Sequence, residues 1–172
     1  MDFFEVVKAR HSIRAFADKP VEPEKLQAIL EAVNRAPSAG NLQAYETYAV
    51  TDCGCLKALA RASLGQEFVA QASLSLVFCA NPARSAKRYA QRGASLYCVQ
   101  DATIACAYAQ LAVTALGLAS VWVGAFDDDG VRAAIGVDRA LLPVAILPIG
   151  YAGEEPETTA RRALSDLVRY IR

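Results

Sequence analysis

The stretch YCVQDATIACAYAQLAVTALGLASVWVGAF, residues 97–126, decides the fold class of this chain. It predicts a helix from about Ala94 to Leu116 that is apolar nearly all round, followed by a strand over Val121–Val123. Its many alanines, the polar Gln110 and the break at Gly117 argue against a membrane-spanning segment. We therefore expect a helix buried at the centre of the molecule or against another subunit.

The rest of the chain mixes helices and strands without a regular alternation. Strands are predicted over Thr47–Thr51, Ser73–Cys79 and Val144–Tyr151. Helices are predicted after Asp2, from Pro23 to about Ala36, from about Leu56 to Gly65, from Asp127 to Gly136 and over Leu164–Tyr170, with a polar, basic connection over Arg84–Arg92. This order predicts an α+β fold, in which helices flank a mixed or antiparallel sheet of about four or five strands. Residues 1–172 contain no repeat or linker, which predicts one domain.

Charge and cysteine content narrow the class of protein. Lysine and arginine total 18, as do aspartate and glutamate, so neither a nucleic acid nor a membrane surface is predicted as a partner. The start of the chain does not resemble an export signal, and the five cysteines lack the spacing of a disulfide framework, which predicts a cytoplasmic protein with reduced thiols. Cys53 and Cys55 form a candidate metal or redox pair, but an ordinary loop or helix start is the simpler interpretation.

The first chemical cluster is Arg10-x-Ser12-x-Arg14. In an extended segment, alternate residues share one face, so two guanidinium groups would flank a hydroxyl. That arrangement suits a phosphate group, which arginine binds through two hydrogen bonds. The alternative is a solvated strand edge that carries ordinary surface arginines.

Three other clusters are ambiguous taken alone. The loop Pro37–Gln43 contains a hydroxyl and two amides that suit the edge of a flat heterocycle, or it is a plain connection between elements. Gly124 follows a predicted strand, where a glycine permits close approach to a ligand or simply forms a turn. Arg161 and Arg162 lie in a polar tail, and such pairs are usually solvated.

Several catalytic schemes lack their residues in this sequence. His11 is the single histidine, and no nucleophile elbow, phosphate-binding loop or dinucleotide fingerprint is present. Few acid–base groups and several anion and amide contacts are typical of a protein whose cofactor brings its own reactivity.

Five segments together resemble the nitroreductase family of flavoproteins. They are ARHSIRAF (9–16), APSAGNLQ (36–43), the stretch 97–126, LLPVAILPIGY (141–151) and EEPETTARRALSDLV (154–168). Their order and spacing cover nearly the whole chain. The resemblance implies the α+β fold of that family, with the long helix at the interface of a homodimer that holds FMN between its subunits.

The resemblance also implies roles for particular residues. Arg10, Ser12 and Arg14 would hold the phosphate and the pyrimidine side of FMN, with His11 as a further contact. Arg161 and Arg162 would reach the phosphate. The partner subunit would approach the flavin through Pro37, Ser38, Ala39, Asn41 and Gln43, and the ring would be lined by Val123, Gly124 and Ala125. No residue is predicted to be catalytic, since FMN carries the chemistry.

The implied activity is transfer of electrons from NADH or NADPH through FMN to nitroaromatics, quinones or similar flat electrophiles, in ping-pong turnover. Alternatives are other flavin reactions on the same fold, such as dehalogenation, ferric or flavin reduction and flavin fragmentation, or a flavin-binding protein without turnover. A flavin-free structural dimer is a further alternative. The chain departs from the family where Gln43-Ala44-Tyr45 replaces the commoner Gln-Pro-Trp, and it lacks the longer insertions of larger relatives.

Overall fold

The computed structural model describes residues 1–171 and contains a four-stranded antiparallel sheet. The strands are β1 (Tyr45–Val50), β2 (Leu74–Ala80), β3 (Ala119–Ser120) and β4 (Leu142–Gly150). Their spatial order is β1-β2-β4-β3. The register pairs Tyr45 with Ala80 and Leu76 with Leu147. The predicted α+β class and the predicted number of strands are confirmed.

Helices flank this sheet, and several begin and end at the residues that the sequence indicates. They are α1 (Phe3–Ala9), α2 (Pro23–Asn34), α3 (Cys53–Ala62), α4 (Phe68–Gln71), α5 (Pro82–Arg92), α6 (Cys98–Ala115), α7 (Asp128–Ile135) and α8 (Leu164–Leu167). Asp2 caps α1 with its carboxylate, and Asp127 caps α7 in the same way. Gly136 ends α7 in the left-handed conformation, with φ of 69°, which favours glycine.

The sheet has two covered faces, and the alternation along β2 divides its side chains between them. Leu76 and Phe78 pack with α2 and α6, whereas Val77 and Cys79 pack with α3 and α7. Every residue of β2 is buried. Burial of each large apolar side chain contributes about 1.5–3 kcal/mol, so this two-sided core is the main source of stability.

Helix α6 lies across the sheet as the predicted long apolar helix, preceded by one π-helical turn over Gly93–Tyr97. One of its faces is buried, through residues that include Ala105, Ala109 and Val113. On the other side, Tyr108 is exposed, and an apolar groove of about 550 Å³ lies between α1 and α6. The groove leaves part of α6 open in the single chain.

Three predicted elements were wrong. The connection over Arg84–Arg92 is instead part of helix α5, which begins at Pro82 under the cap of Asn81. This helix is strongly polar overall, and its buried residue is Ser85 rather than a large apolar side chain, so it lacks the apolar residues by which an amphipathic helix is usually recognised. The strand predicted over Val121–Val123 ends earlier, at Ser120, and only Val123 pairs again, in an isolated bridge to Ile146. In the tail, α8 stops at Leu167, before Tyr170.

Within residues 1–171, no helix combines the length and the apolar character needed to cross a membrane.

Candidate functional site

The segment after α1 is extended, as its alternation predicts, because it pairs with the edge of the sheet. Ser12 forms a parallel bridge with Ser120, and the N–H of Ile13 donates to Ser120 O at 3.1 Å. Ile13 is buried, while Arg10 and Ser12 are partly exposed and Arg14 is exposed. The core therefore fixes this segment through Ile13 and leaves the two arginines accessible.

Neither guanidinium of this segment has an ion-pair or hydrogen-bond partner among residues 1–171. The nearby carboxylate of Glu154 accepts instead from the backbone N–H groups of Arg14 and Ala15. His11 Nδ1 lies 2.8 Å from Ala9 O. Arg10 and Arg14 are thus cations whose hydrogen-bonding capacity remains free for an anion.

The loop after α2 has an unusual backbone. Helix α2 ends at Asn34, shortly before Pro37, and a short 3-10 turn follows over Ala39–Asn41. Asn41 and Gln43 have φ of 56° and 48°, which costs free energy for residues other than glycine. Such conformations persist only where the surrounding structure holds them, and they concentrate at ligand-binding sites.

The residue that holds this loop is Asp101, on the buried face of α6. Its side chain is 2% exposed. Oδ1 accepts from Ala39 N at 2.9 Å, and Oδ2 accepts from Ala44 N at 3.3 Å. Burial, and secondarily the charge of Asp101, raises the pKa of Tyr45. Asp101 was not among the predicted site residues. An acid in an otherwise apolar helix is nevertheless a recognisable signal, because a buried carboxylate needs hydrogen-bond donors.

Two further contacts fix the side chains of the loop. Ser38 Oγ accepts from the N–H of Gln43 at 2.9 Å. The side-chain amide of Gln43 donates to Asn34 Oδ1 at 3.2 Å. Pro37 and Asn41 are exposed, and a groove of about 530 Å³ lies between this loop and α6.

After β3, the chain presents backbone donors at the surface. Val123 is buried, and its N–H and C=O both bond to Ile146. Gly124 and Ala125 are exposed, and their N–H groups have no acceptor within residues 1–171. Any ligand at this position would therefore meet the backbone of Gly124 and Ala125 rather than the side chain of Val123.

The tail contains the two remaining cations predicted for the site. Arg161 and Arg162 are exposed, and Arg162 donates locally to Asp166 O at 2.8 Å. In the single chain, contacts join the segment around Ser12 to the β3 edge, and separate contacts join the loop to α6. The segment around Ser12 therefore lies beside β3, which leads into Val123, Gly124 and Ala125, whereas the loop is held by α6.

Cys53 and Cys55 occupy the first turn of α3, capped by Asp52, whose Oδ1 accepts from Cys55 N at 2.8 Å. The hydrogen bond to Asp52 raises the pKa of the Cys55 thiol, which disfavours a reactive thiolate. This agrees with the ordinary helix start that the sequence favoured.

Comparison with known families decides the class of this protein. The family model described as "Nitroreductase family" matches residues 7–91 and 55–151. The chain belongs to the nitroreductase family. A putative NADH dehydrogenase/NAD(P)H nitroreductase of Archaeoglobus fulgidus is 30% identical over 156 residues, which cover 88% of this chain and 86% of the relative. Membership in the nitroreductase family confirms the predicted resemblance and the oxidoreductase class.

Two other comparisons agree. An FMN reductase [NAD(P)H] of Bacillus subtilis is 36% identical over 135 residues, which cover 70% of this chain and 54% of the relative. The crystal structure of a nitroreductase family protein of Clostridium difficile 630 superposes with a TM-score of 0.87 at 31% identity, covering 99% of this chain and 98% of that one. The nitroreductase fold predicted from the sequence is therefore confirmed.

Proposed function

We propose that this NAD(P)H-dependent flavin oxidoreductase holds FMN, as a single domain over residues 1–172, between two copies of the chain. Its acceptors would be nitroaromatics, quinones or similar flat electrophiles. The observation that carries the proposal is the pair of accessible guanidinium groups, Arg10 and Arg14, which flank Ser12 without any carboxylate partner in residues 1–171.

A phosphate monoester suits these residues. Two guanidinium groups supply paired donors, and the hydroxyl of Ser12 supplies one more. The buried Ile13 anchors the segment, so its backbone is already ordered in the absence of a ligand. Binding therefore costs less conformational entropy than it would in a flexible segment. His11 would be a further contact, and Arg161 and Arg162 would add positive charge from the tail.

The flavin ring suits the backbone donors after β3. When bound, FMN would supply the redox chemistry, accepting electrons from NADH or NADPH and passing them to an acceptor. The free N–H groups of Gly124 and Ala125 would donate to the ring, and the positive charge of Arg14 would stabilise negative charge on its pyrimidine side. Val123 would support this loop from the core.

A second copy of the chain would bring the loop after α2 to the flavin. In this proposal the loop bearing Pro37, Ser38, Ala39, Asn41 and Gln43 faces the flavin of the partner subunit. Exposed apolar side chains support such an interface: Phe3 is 64% exposed and Tyr108 is 40% exposed, and both line the open groove of α6. The tail adds exposed apolar residues from Leu164 to Ile171. A homodimer would bury these surfaces.

The cytoplasm is the proposed location, since reduced cysteines persist there. All five cysteines are free thiols in the structure.

The test of the phosphate site is an FMN titration of the purified apoprotein carrying Arg10→Ala. Loss of one charge-assisted contact should raise the Kd for FMN about ten- to a hundredfold. The thermal stability of the apoprotein should stay near the wild-type value, because the guanidinium of Arg10 forms no hydrogen bond or ion pair with residues 1–171.

Lys8→Ala is the matched control, since Lys8 is an exposed cation two residues earlier, in the last turn of α1. It should leave the Kd for FMN unchanged. Unchanged FMN binding in Arg10→Ala, or equal losses of FMN binding and thermal stability, would contradict the proposed role of Arg10.

A further inference from the structure

Helix α5 carries four cations and no acid. Its charged residues are Arg84, Lys87, Arg88 and Arg92, and all four are exposed. The whole chain has a formal net charge of zero. The positive charge of α5 is therefore a local concentration, and the balancing acidic residues lie elsewhere in the chain. Neighbouring like charges repel each other, and an anionic ligand would relieve that repulsion.

These cations have no carboxylate partner in the part of the chain that the structure describes. The ion pairs of residues 1–171 lie on α2 and around α7, and none includes a cation of α5. Arg84 and Arg92 use their Nε atoms to donate to neutral partners, Leu42 O and the hydroxyl of Tyr97. The side chains of Lys87 and Arg88 have no hydrogen-bond partner within those residues. Their donors are free.

The cluster lies against the loop that we propose faces the flavin. Arg84 bonds to Leu42 of that loop. At Gly40 the contact is so close that an added Cβ would lie 2.5 Å from the hydroxyl of Tyr89 and 2.9 Å from Arg88 Nη1. The absent side chain of Gly40 therefore lets Arg88 and Tyr89 approach the loop backbone.

Close packing holds α5 in this position although its backbone is strained at one residue. Ala90 has φ of 46° and ψ of −136°, a combination that non-glycine residues avoid. Gly93 lies so near Ser85 that an added Cβ would be 2.6 Å from Ser85 O. The helix consequently folds back tightly on the π-helical turn that follows it.

Two tyrosines support the guanidinium groups. The rings of Tyr89 and Tyr97 pack edge to face, with centroids 5.1 Å apart. The guanidinium carbons of Arg88 and Arg92 lie 5.5 Å and 5.4 Å from the ring centroids of Tyr89 and Tyr97. The aromatic pair limits the motion of two arginines that would otherwise be flexible.

We infer that α5 binds the phosphate groups of the dinucleotide electron donor, through Lys87 and Arg88 in particular. The inference rests on the proposed function, in which NADH or NADPH meets a flavin beside the loop Pro37–Gln43. The sequence has no dinucleotide fingerprint to hold those phosphates at a helix N-terminus, and Arg10 and Arg14 are assigned to FMN. Exposed cations bind phosphate weakly and in a salt-dependent way, which suits a donor that must leave after each turnover.

The test compares donors with and without phosphate on the FMN-loaded protein carrying Lys87→Ala and Arg88→Ala together. NADPH, NADH and the phosphate-free donor 1-benzyl-1,4-dihydronicotinamide are each oxidised with the same acceptor. The ratio of kcat/KM for NADPH to kcat/KM for the phosphate-free donor should fall about ten- to a hundredfold, mainly through KM. The Kd for FMN should remain at its wild-type value.

The NADH measurement identifies which phosphate is bound. Equal falls for NADH and NADPH assign the pyrophosphate, and a fall for NADPH alone assigns the 2′-phosphate. The matched control is Lys57→Ala with Arg61→Ala, which removes two exposed cations from α3. It should leave the ratio unchanged.

A ratio that stays at the wild-type value in the α5 variant, or that falls equally in the α3 control, would overturn the inference. Oxidation of the phosphate-free donor by the wild-type protein would still support the proposed function in that case. A wild-type protein that oxidises no donor would instead remove the proposed function itself.

Discussion

Replacement of Asp101 by asparagine probes the link between the core and the candidate flavin loop. The carboxylate accepts two backbone hydrogen bonds, from Ala39 at 2.9 Å and from Ala44 at 3.3 Å. Asparagine keeps the shape but has one acceptor oxygen, so its NH₂ group must face one of the two N–H donors. One charge-assisted bond is lost, which costs about 1.5–3 kcal/mol.

The expected consequence is a lower melting temperature. In a chain of this size each kcal/mol lowers Tm by about 2–4 °C, so Asp101→Asn should melt about 3–12 °C below wild type. Asp101→Ala should melt lower still, because both N–H groups lose their acceptor and Ala44 is fully buried. The measurement is calorimetric melting of the apoprotein at one fixed protein concentration, since a dimer makes Tm depend on concentration.

Asp127→Asn is the matched control, since it makes the same chemical change at an exposed helix cap. Asparagine caps helices as well as aspartate does, so this variant should melt with wild type. The loop should also bind flavin less well in Asp101→Asn, which an FMN titration measures. If Asp101→Asn melts with wild type and binds FMN with the wild-type Kd, Asp101 does not anchor this loop.

Three further outcomes follow from packing and burial. Gly93→Ala should lower the free energy of unfolding by about 1–3 kcal/mol in urea, because its Cβ would meet Ser85 O; an unchanged midpoint would contradict that contact. With the thiol reagent DTNB, the exposed Cys53 should react in the native protein. Cys79 should react only after unfolding, because burial raises its pKa to about 12. Rapid labelling of Cys79 would show that the sheet opens. Burial raises the pKa of Tyr45 in the folded protein. The protonated phenol therefore stabilises the fold below about pH 10, the pKa of tyrosine in the unfolded chain, and this stabilisation is lost as the pH rises through the folded pKa. Tyr45→Phe should therefore lose less stability than wild type between about pH 9 and about pH 11 in urea titrations, and equal losses would exclude this role.

Local signals made much of the fold predictable. Asp2 and Asp127 supply caps, Pro23 begins a helix, and Gly136 ends one, and each effect acts within a few residues. The apolar run of β2 likewise indicates a buried strand without knowledge of its partners.

The elements that were missed depend on contacts that a sequence pattern does not show. Helix α5 buries the small, polar Ser85 instead of large apolar side chains, and it is positioned by the close approach of Ser85 to Gly93 and by the bond from Arg84 to Leu42. Strand β3 is two residues long because its pairing with β4 stops there, which only the folded register shows. Asp101 was overlooked because its partners, the N–H groups of the loop, lie about 60 residues earlier in the chain.

The arginine cluster was visible as a pattern, but its meaning required the family resemblance. An extended R-x-S-x-R segment alone does not separate a phosphate site from a solvated edge. The structure adds that Ile13 anchors the segment and that no carboxylate in residues 1–171 pairs with Arg10 or Arg14. In the proposed homodimer, the identity of the acceptor would be set by a pocket that both subunits line.

The most direct test is the visible absorption spectrum of the purified protein, recorded anaerobically before and after addition of NADH or NADPH. We predict flavin bands that bleach on addition of the donor and return when a quinone or a nitroaromatic compound is added. Flavin bands that persist with both donors would contradict electron transfer from NAD(P)H. A colourless protein that also fails to take up added FMN would contradict the proposal that Arg10, Ser12 and Arg14 form an FMN site.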